Sequence, residues 1–282
     1  MHIIKWQLRL GITKKEFWIA LYILMLLVVV SFVTHCFESL FGVVEMIYTF
    51  SASTVFVLHS SHHPYSTLFV LIVPLIIPLA LSDSLFTERL KKTDTLLYTR
   101  ISSTKYMLSK AVSCFVLGFF IVLIPLAMSQ VLSLIAFPFT SPRPFTSTSS
   151  SSMGFAKAFS FISLNWLYFG HPYIYNIVFS IFLAIYAGCC SVIALSISIY
   201  IKKHRSVVIS SVFILTVVSM LIGHYLRVSG HTDNKSLVII NYFIVADDIS
   251  KYEYWKILAI VIIIMILSLG PILYKGIAED HL

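Results

Sequence analysis

The sequence predicts an all-α polytopic membrane protein with six transmembrane helices, both termini in the cytoplasm, and an interfacial amphipathic helix ahead of the first crossing. Three observations predict this. Of 282 residues, 59% are hydrophobic and 11% charged, whereas a soluble domain has roughly 45–50% apolar and ~25% charged residues. Six stretches, 17–34, 66–82, 111–137, 172–201, 206–226 and 257–274, contain no Asp, Glu, Lys or Arg, and a spanning helix needs about 20 mainly apolar residues. The basic residues between these stretches also segregate to alternate connections. The composition excludes an ordinary water-soluble fold, and it excludes disorder, which requires low hydrophobicity and high charge.

Residues 1–16 place Ile3, Ile4, Leu8 and Ile12 on one side of a helix, with Lys5 and Arg9 towards the other. An amphipathic helix in the cytoplasmic interface follows from that pattern; the alternative is a frayed basic tail. The basic stretch and apolar run resemble a signal peptide, but no A-x-A-like site follows at Ser31-Phe32-Val33-Thr34-His35, so the run is expected to remain as the first span. The segment 40–58 is apolar apart from Glu45. A crossing there would put the most basic loop outside, so it is expected to be an interfacial or re-entrant piece on the outer side. Pro74 and Pro78 predict a local kink or widened turn in the second span. The third and fourth stretches exceed the hydrocarbon thickness and should tilt or project beyond it.

Charge sets the orientation. One set of connections and termini holds Lys5, Arg9, Lys14, Lys15, Arg89, Lys91, Lys92, Arg100, Lys105, Lys110, Lys202, Lys203, Arg205 and Lys275. The other holds only Arg143, Lys157, Arg227, Lys235, Lys251 and Lys256. The positive-inside bias therefore puts both ends in the cytoplasm. The net charge of +8 is thereby a topology signal, and no nucleic-acid partner is expected. The chain is expected to form a single transmembrane domain. Its parts are the interfacial helix (1–16), a cytoplasmic loop (83–110) and a Ser- and Pro-rich outer loop (138–171).

Several chemistries are missing from the pattern. Ion-coupled transport requires ionisable groups inside the membrane, and the six stretches hold no acidic or basic side chain except His224 near the outer end of the fifth. Asp83, Glu88 and Lys110 fall at cytoplasmic edges, where snorkelling is expected to keep them wet. There is no GxxxxGK[ST], HExxH or GxSxG motif, so no catalytic residue, metal or cofactor is assigned to this chain. His59, His62 and His63 cluster before Pro64 as a solvated turn rather than a metal site. Cys36, Cys114, Cys189 and Cys190 define no disulfide framework and are expected to be small packing residues. Trp166, Tyr168, Tyr173 and Trp255 are expected to anchor the interface.

The loop 83–110 is the informative region. Thr93 or Asp94 can cap a short helix reaching about Ile101, which sets Leu97 and Ile101 one turn apart with Tyr98 and Arg100 elsewhere on its surface. Ser102, Ser103 and Thr104 then end it and can cap the third span. A rigid helix there can transmit force from a cytoplasmic partner to two spans at once. Alternatively, the loop binds anionic headgroups and fixes topology. In the fourth stretch, Ala184/Gly188, Ala187/Ser191, Cys190/Ala194 and Ala194/Ser198 are small residues four apart, which allow close helix approach within the chain or between two chains.

Glu88 after the second span, then Leu-Leu-Tyr-Thr-Arg-Ile-Ser over 96–102, then Tyr106 and Lys110 entering the third span, resemble the permease subunits of ABC-2-type transporters. The layout of the whole chain resembles them too. The residue-level match is confined to 86–110 and the small-residue fourth span. The resemblance implies a second permease copy and a separate ATP-binding cassette subunit contacted by Glu88, Arg89, Leu97, Tyr98, Arg100 and Ile101. It also implies export of a hydrophobic or amphipathic substrate (peptide, drug or lipid-like) across a bacterial plasma membrane, with ATP hydrolysed in the partner. The long Ser-rich outer segment departs from the family pattern. The alternative is a non-transporting immunity or assembly factor acting by contact.

Overall fold

The computed structural model describes residues 2–41, 51–59, 64–81, 102–139, 167, 170–201, 205–228 and 253–280. Among them are seven α-helices and no strand: α1 (His2–Ile12), α2 (Lys15–Phe41), α3 (Tyr65–Leu81), α4 (Ser103–Ala136), α5 (Pro172–Tyr200), α6 (Arg205–Val228) and α7 (Glu253–Asp280). A 3₁₀ turn lies at Val57–His59. Each of the six apolar stretches lies on one of α2 to α7, to within a residue. In lipid every backbone N–H and C=O must find its partner inside the segment, and a helix achieves this. α2, α4 and α5 are long and apolar enough to cross a membrane, and they mark the chain as a membrane-embedded helical protein.

The surface supports that assignment. Along α2, Ile19, Tyr22, Ile23, Leu26, Val29, Val30, Val33 and Phe37 are all exposed and recur at helical spacing. At about 1.5 Å per residue the stripe is about 27 Å long, close to the ~30 Å hydrocarbon core. A soluble monomer rarely exposes so large a contiguous apolar strip. The opposite face of α2 buries Phe17, Ala20, Leu21, Leu24 and Val28, and continues through Ser31 and His35. His35 faces Glu38 at 3.6 Å.

The bundle is built on the α4–α5 pair: α4 also packs against α1, α2, α3 and α7, and α5 against α3, α6 and α7. The α4–α5 seam is antiparallel. Gly118 lets α4 come so near that an added Cβ would lie 3.2 Å from Ala187 O and Ser191 Cβ. On the other helix, Gly188 leaves room for the Phe115 ring, 2.8 Å from where its Cβ would be. α2 runs in the same sense as α4: Phe32 meets Phe137 edge to face, ring centroids 6.3 Å apart. The end of α7 returns to the start of α4, where Gly276 approaches the Thr104 backbone.

α1 forms as expected but uses a different face. Gln7 and Gly11 are buried against α4, where Ser113 Oγ lies 3.4 Å from Gln7 Oε1 and Leu117 fills the space a Cβ on Gly11 would need. Ile12 is exposed with Trp6 and Leu10, whereas Leu8 packs against the core and Ile3 and Ile4 are half-buried, so the buried face is turned towards Gln7 and Gly11 and keeps Leu8 but not Ile12. The pairs 7/113, 11/117 and 32/137 are separated by 105 or 106 residues. α1 and α2 therefore follow α4 in nearly constant register.

At 34 residues, α4 is about 51 Å long and outreaches the hydrocarbon, and α1 braces its first turns. Lys110 is a correction. It is buried at 3% exposure rather than wet, with Nζ 3.4 Å from Tyr106 Oη and 5.4 Å from that ring's centroid. It lies two turns inside α4, too deep for its side chain to reach the helix end. Ser102 occupies the N-cap position of α4 without a side-chain capping bond. Prolines 74 and 78 sit inside a continuous α3. All four cysteines are free, with Cys114, Cys189 and Cys190 buried.

Candidate functional site

The predicted ATPase-contact residues Glu88, Arg89, Leu97, Tyr98, Arg100 and Ile101 lie outside the described residues, as do His62, His63 and most of the loops 83–110 and 138–171. The packing residues Ala184, Gly188, Ser191 and Ala194 are all buried inside the chain, with Gly188 and Ser191 on the α4 seam. Among the described residues no three His, Cys, Asp or Glu side chains gather as a metal site.

What the structure does build is a polar knot at the end of the bundle shared by the C-termini of α2 and α4 and the N-terminus of α5. Residues 51–59 leave the helical repeat there, and their backbone needs partners. Some come from a local turn. Ser51 O accepts from Thr54 N at 3.0 Å and Val55 N at 3.2 Å, and Thr54 Oγ1 also donates to it at 3.0 Å. Ser51 N donates to Thr54 Oγ1 at 3.0 Å.

The rest come from the helices. Ala52 N donates to Pro138 O at 3.0 Å, and Ala52 O accepts from Gln130 Nε2 at 3.3 Å. Ser53 O accepts from Asn176 Nδ2 at 3.1 Å. Val57 N donates to Ser129 Oγ at 3.2 Å. Buried backbone outside a helix needs partners of its own, and here α4, α5 and Pro138 just after α4 supply them. Apolar side chains seal the segment: Ala52, Val55, Phe56, Val57 and Leu58 are all buried, with Ala52 and Val55 against Phe137.

The centre of the knot is an amide pair. Asn176 Nδ2 donates to Gln130 Oε1 at 2.8 Å, joining α5 directly to α4. Its two contacts are both carbonyl oxygens, which fixes the amide orientation, because a flipped group would set oxygen against oxygen. Asn176 Oδ1 is then buried without a hydrogen-bond partner among the described residues. Tyr173 adds a tie at the rim, donating to Phe139 O at 2.6 Å with its ring stacked on Phe139 at 4.5 Å. It thus fastens α5 to the segment after α4, more than the interface anchor expected of it.

Sequence reasoning did not single out Gln130 or Asn176. The signal was available: they are the two side-chain amides in all six apolar stretches, and a buried amide needs several partners. Their pairing explains why each is tolerated. The bonds described in the knot join backbone to backbone through neutral side-chain dipoles. Compared with family models, with curated proteins and with solved structures, this chain finds no match.

Proposed function

We propose that the chain is the membrane-spanning permease subunit of an ABC-2-type transporter. In this reading it has six crossings, both termini in the cytoplasm and residence in a bacterial plasma membrane. It exports a hydrophobic or amphipathic substrate using ATP hydrolysed by a separate subunit. Two permeases pair, and the short helix in 83–110, with Leu97, Tyr98, Arg100 and Ile101 on its surface and Glu88 and Arg89 before it, seats on the ATPase.

The observation that carries this reading is the common end of the bundle where α1, the start of α4 and the end of α7 meet. Gln7 lies by Ser113 and Gly276 by Thr104. Lys5, Arg9, Lys14, Lys15, Lys105 and Lys275 therefore belong to one end, and the loop 83–110 opens onto it through Ser102. A basic end of this kind faces the cytoplasm. The parallel α2 and α4 and the antiparallel α5 agree with first and third crossings running outward and a fourth running inward. The absence of Asp, Glu, Lys or Arg from the apolar stretches favours a drive from outside the membrane over an ion relay.

Purification from the native membrane in native lipid tests the assignment. A stoichiometric ATP-hydrolysing subunit of about 25–35 kDa, a domain-sized chain, is expected to accompany the protein. Isolation of the functional protein without any such subunit would instead support a factor acting by contact.

A further inference from the structure

The polar knot has the construction of a latch. Three features of α4 and α5 are ordered along the same seam. At Gly118 and Gly188 the helices come so close that a Cβ would be crowded, which makes that level the tightly packed part of the seam. Gln130 and Asn176 join the same two helices about 18 Å further along, at twelve residues of helical rise, by a side-chain bond and through the backbone of residues 52 and 53. Between the two levels stands Pro125, inside α4. A proline has no N–H for the carbonyl four residues earlier, here Ile121, and such positions are where helices bend.

The latch is also incompletely satisfied. Asn176 is 1% exposed, and its Oδ1 lacks a hydrogen-bond partner among the described residues. A buried acceptor without a donor disfavours the closed state relative to one in which it meets water.

From these observations we propose that residues 51–58 are a plug closing this end of the bundle, that the Gln130–Asn176 pair is its latch, and that α4 bends at Pro125 when the latch opens. Separating the ends of α4 and α5 breaks the Asn176–Gln130 bond and, with it, either the Asn176–Ser53 or the Gln130–Ala52 bond. Each helix holds the plug by one of its carbonyls, so the plug cannot stay with both. The glycine seam remains closed and acts as the fixed pivot. Only the side to which the plug opens depends on the permease reading; the latch itself belongs to the helix pair.

Thiol labelling of the full chain in lipid nanodiscs, open to solvent at both ends, tests this independently of topology and transport. In a Cys36→Ser background, Val55→Cys places a thiol in the plug where 2% of the side chain is exposed. Thr54→Cys next to it is exposed and serves as the reference for full access. Val55→Cys is expected to react with a water-soluble maleimide at least tenfold more slowly than Thr54→Cys. Adding Asn176→Leu or Gln130→Met, which keep volume and remove the polar groups, should raise the Val55→Cys rate at least tenfold. Cys190, 1% exposed in the core, should stay unlabelled.

Pro125→Ala on top of Gln130→Met should slow Val55→Cys labelling again by at least threefold. An unchanged Val55→Cys rate in both latch variants overturns the proposal. So does parallel labelling of Cys190, which would mean the amides merely hold the fold together. No slowing by Pro125→Ala removes the hinge.

Discussion

Gly188→Ala, measured with and without Phe115→Ala, tests whether the α4–α5 seam is set by close backbone approach. An alanine in a helix interior is about 0.8–1 kcal/mol better than glycine, so propensity alone predicts stabilisation. At this position the new Cβ would stand 2.8 Å from Cδ2 and Cε2 of Phe115 and 3.1 Å from Phe115 O. The ring has to leave a packed site, and overpacking of this kind costs typically ~1–3 kcal/mol.

In the native background the sum is a loss of about 0–2 kcal/mol. With Phe115→Ala the ring is gone while the backbone carbonyl at 3.1 Å stays, so Gly188→Ala should then recover part of the propensity gain and lie between neutral and about 1 kcal/mol stabilising. The coupling between the two sites is thus up to about 3 kcal/mol, within the range for residues in contact. At roughly 2–4 °C per kcal/mol for a long chain, it corresponds to up to about 12 °C in Tm. Thermal unfolding of the four variants in one detergent, followed by intrinsic fluorescence, measures it. An equal shift from Gly188→Ala in both backgrounds would refute the reasoning.

Other predictions follow from burial. In folded protein a maleimide should modify one of the four cysteines, the half-buried Cys36, and all four after denaturation, because Cys114, Cys189 and Cys190 are buried; mass spectrometry counts the adducts. Gly11→Leu forces a side chain into Leu117, lifts α1 from α4 and should speed tryptic cleavage at the exposed Lys15 severalfold, as read on a gel. Tyr173→Phe keeps the stack on Phe139 but loses the hydroxyl bond; at about 0.5–1.5 kcal/mol for one hydrogen bond, Tm should fall by a few degrees.

Much of the fold was legible because lipid leaves the backbone few options. Each of the six uncharged stretches lies within a helix to within a residue, and several helices run on past them, α2 to Phe41 and α4 from Ser103, since a chain that must satisfy its own N–H and C=O groups continues as helix beyond the apolar run. Which face of each helix turns inward was not legible. α2 is apolar all round, so Phe17, Leu24 and Val28 differ from Ile19, Leu26 and Val33 only in what they touch. The face of α1 is turned from the expected one for a related reason: close packing against α4 brings in the small Gly11 and the bonding Gln7 beside Leu8 and leaves Ile12 exposed.

The charge rule acting on a distant loop makes the segment 40–58 an interfacial or re-entrant piece; of it the structure describes 40–41, in α2, and 51–58, which leave the helical repeat. Its fastening was not anticipated, because Gln130 and Asn176 lie 46 residues apart in sequence and neither has a motif around it. Burial of Lys110 escaped notice because the start of α4 at Ser103 extends the helix beyond the apolar run that announces it.

The most direct test of the central claim, that the protein is moved by an engine in another chain gripping the loop 83–110, is ATP hydrolysis in material purified from the native membrane. Wild-type protein is compared with Leu97→Asp/Arg100→Glu. The account predicts a co-purifying ATPase whose activity and stoichiometry are lost in the variant while membrane insertion and yield are unchanged. Equal ATPase recovery with the variant would contradict it, and so would purified protein alone in liposomes driving a substrate uphill on an ion gradient.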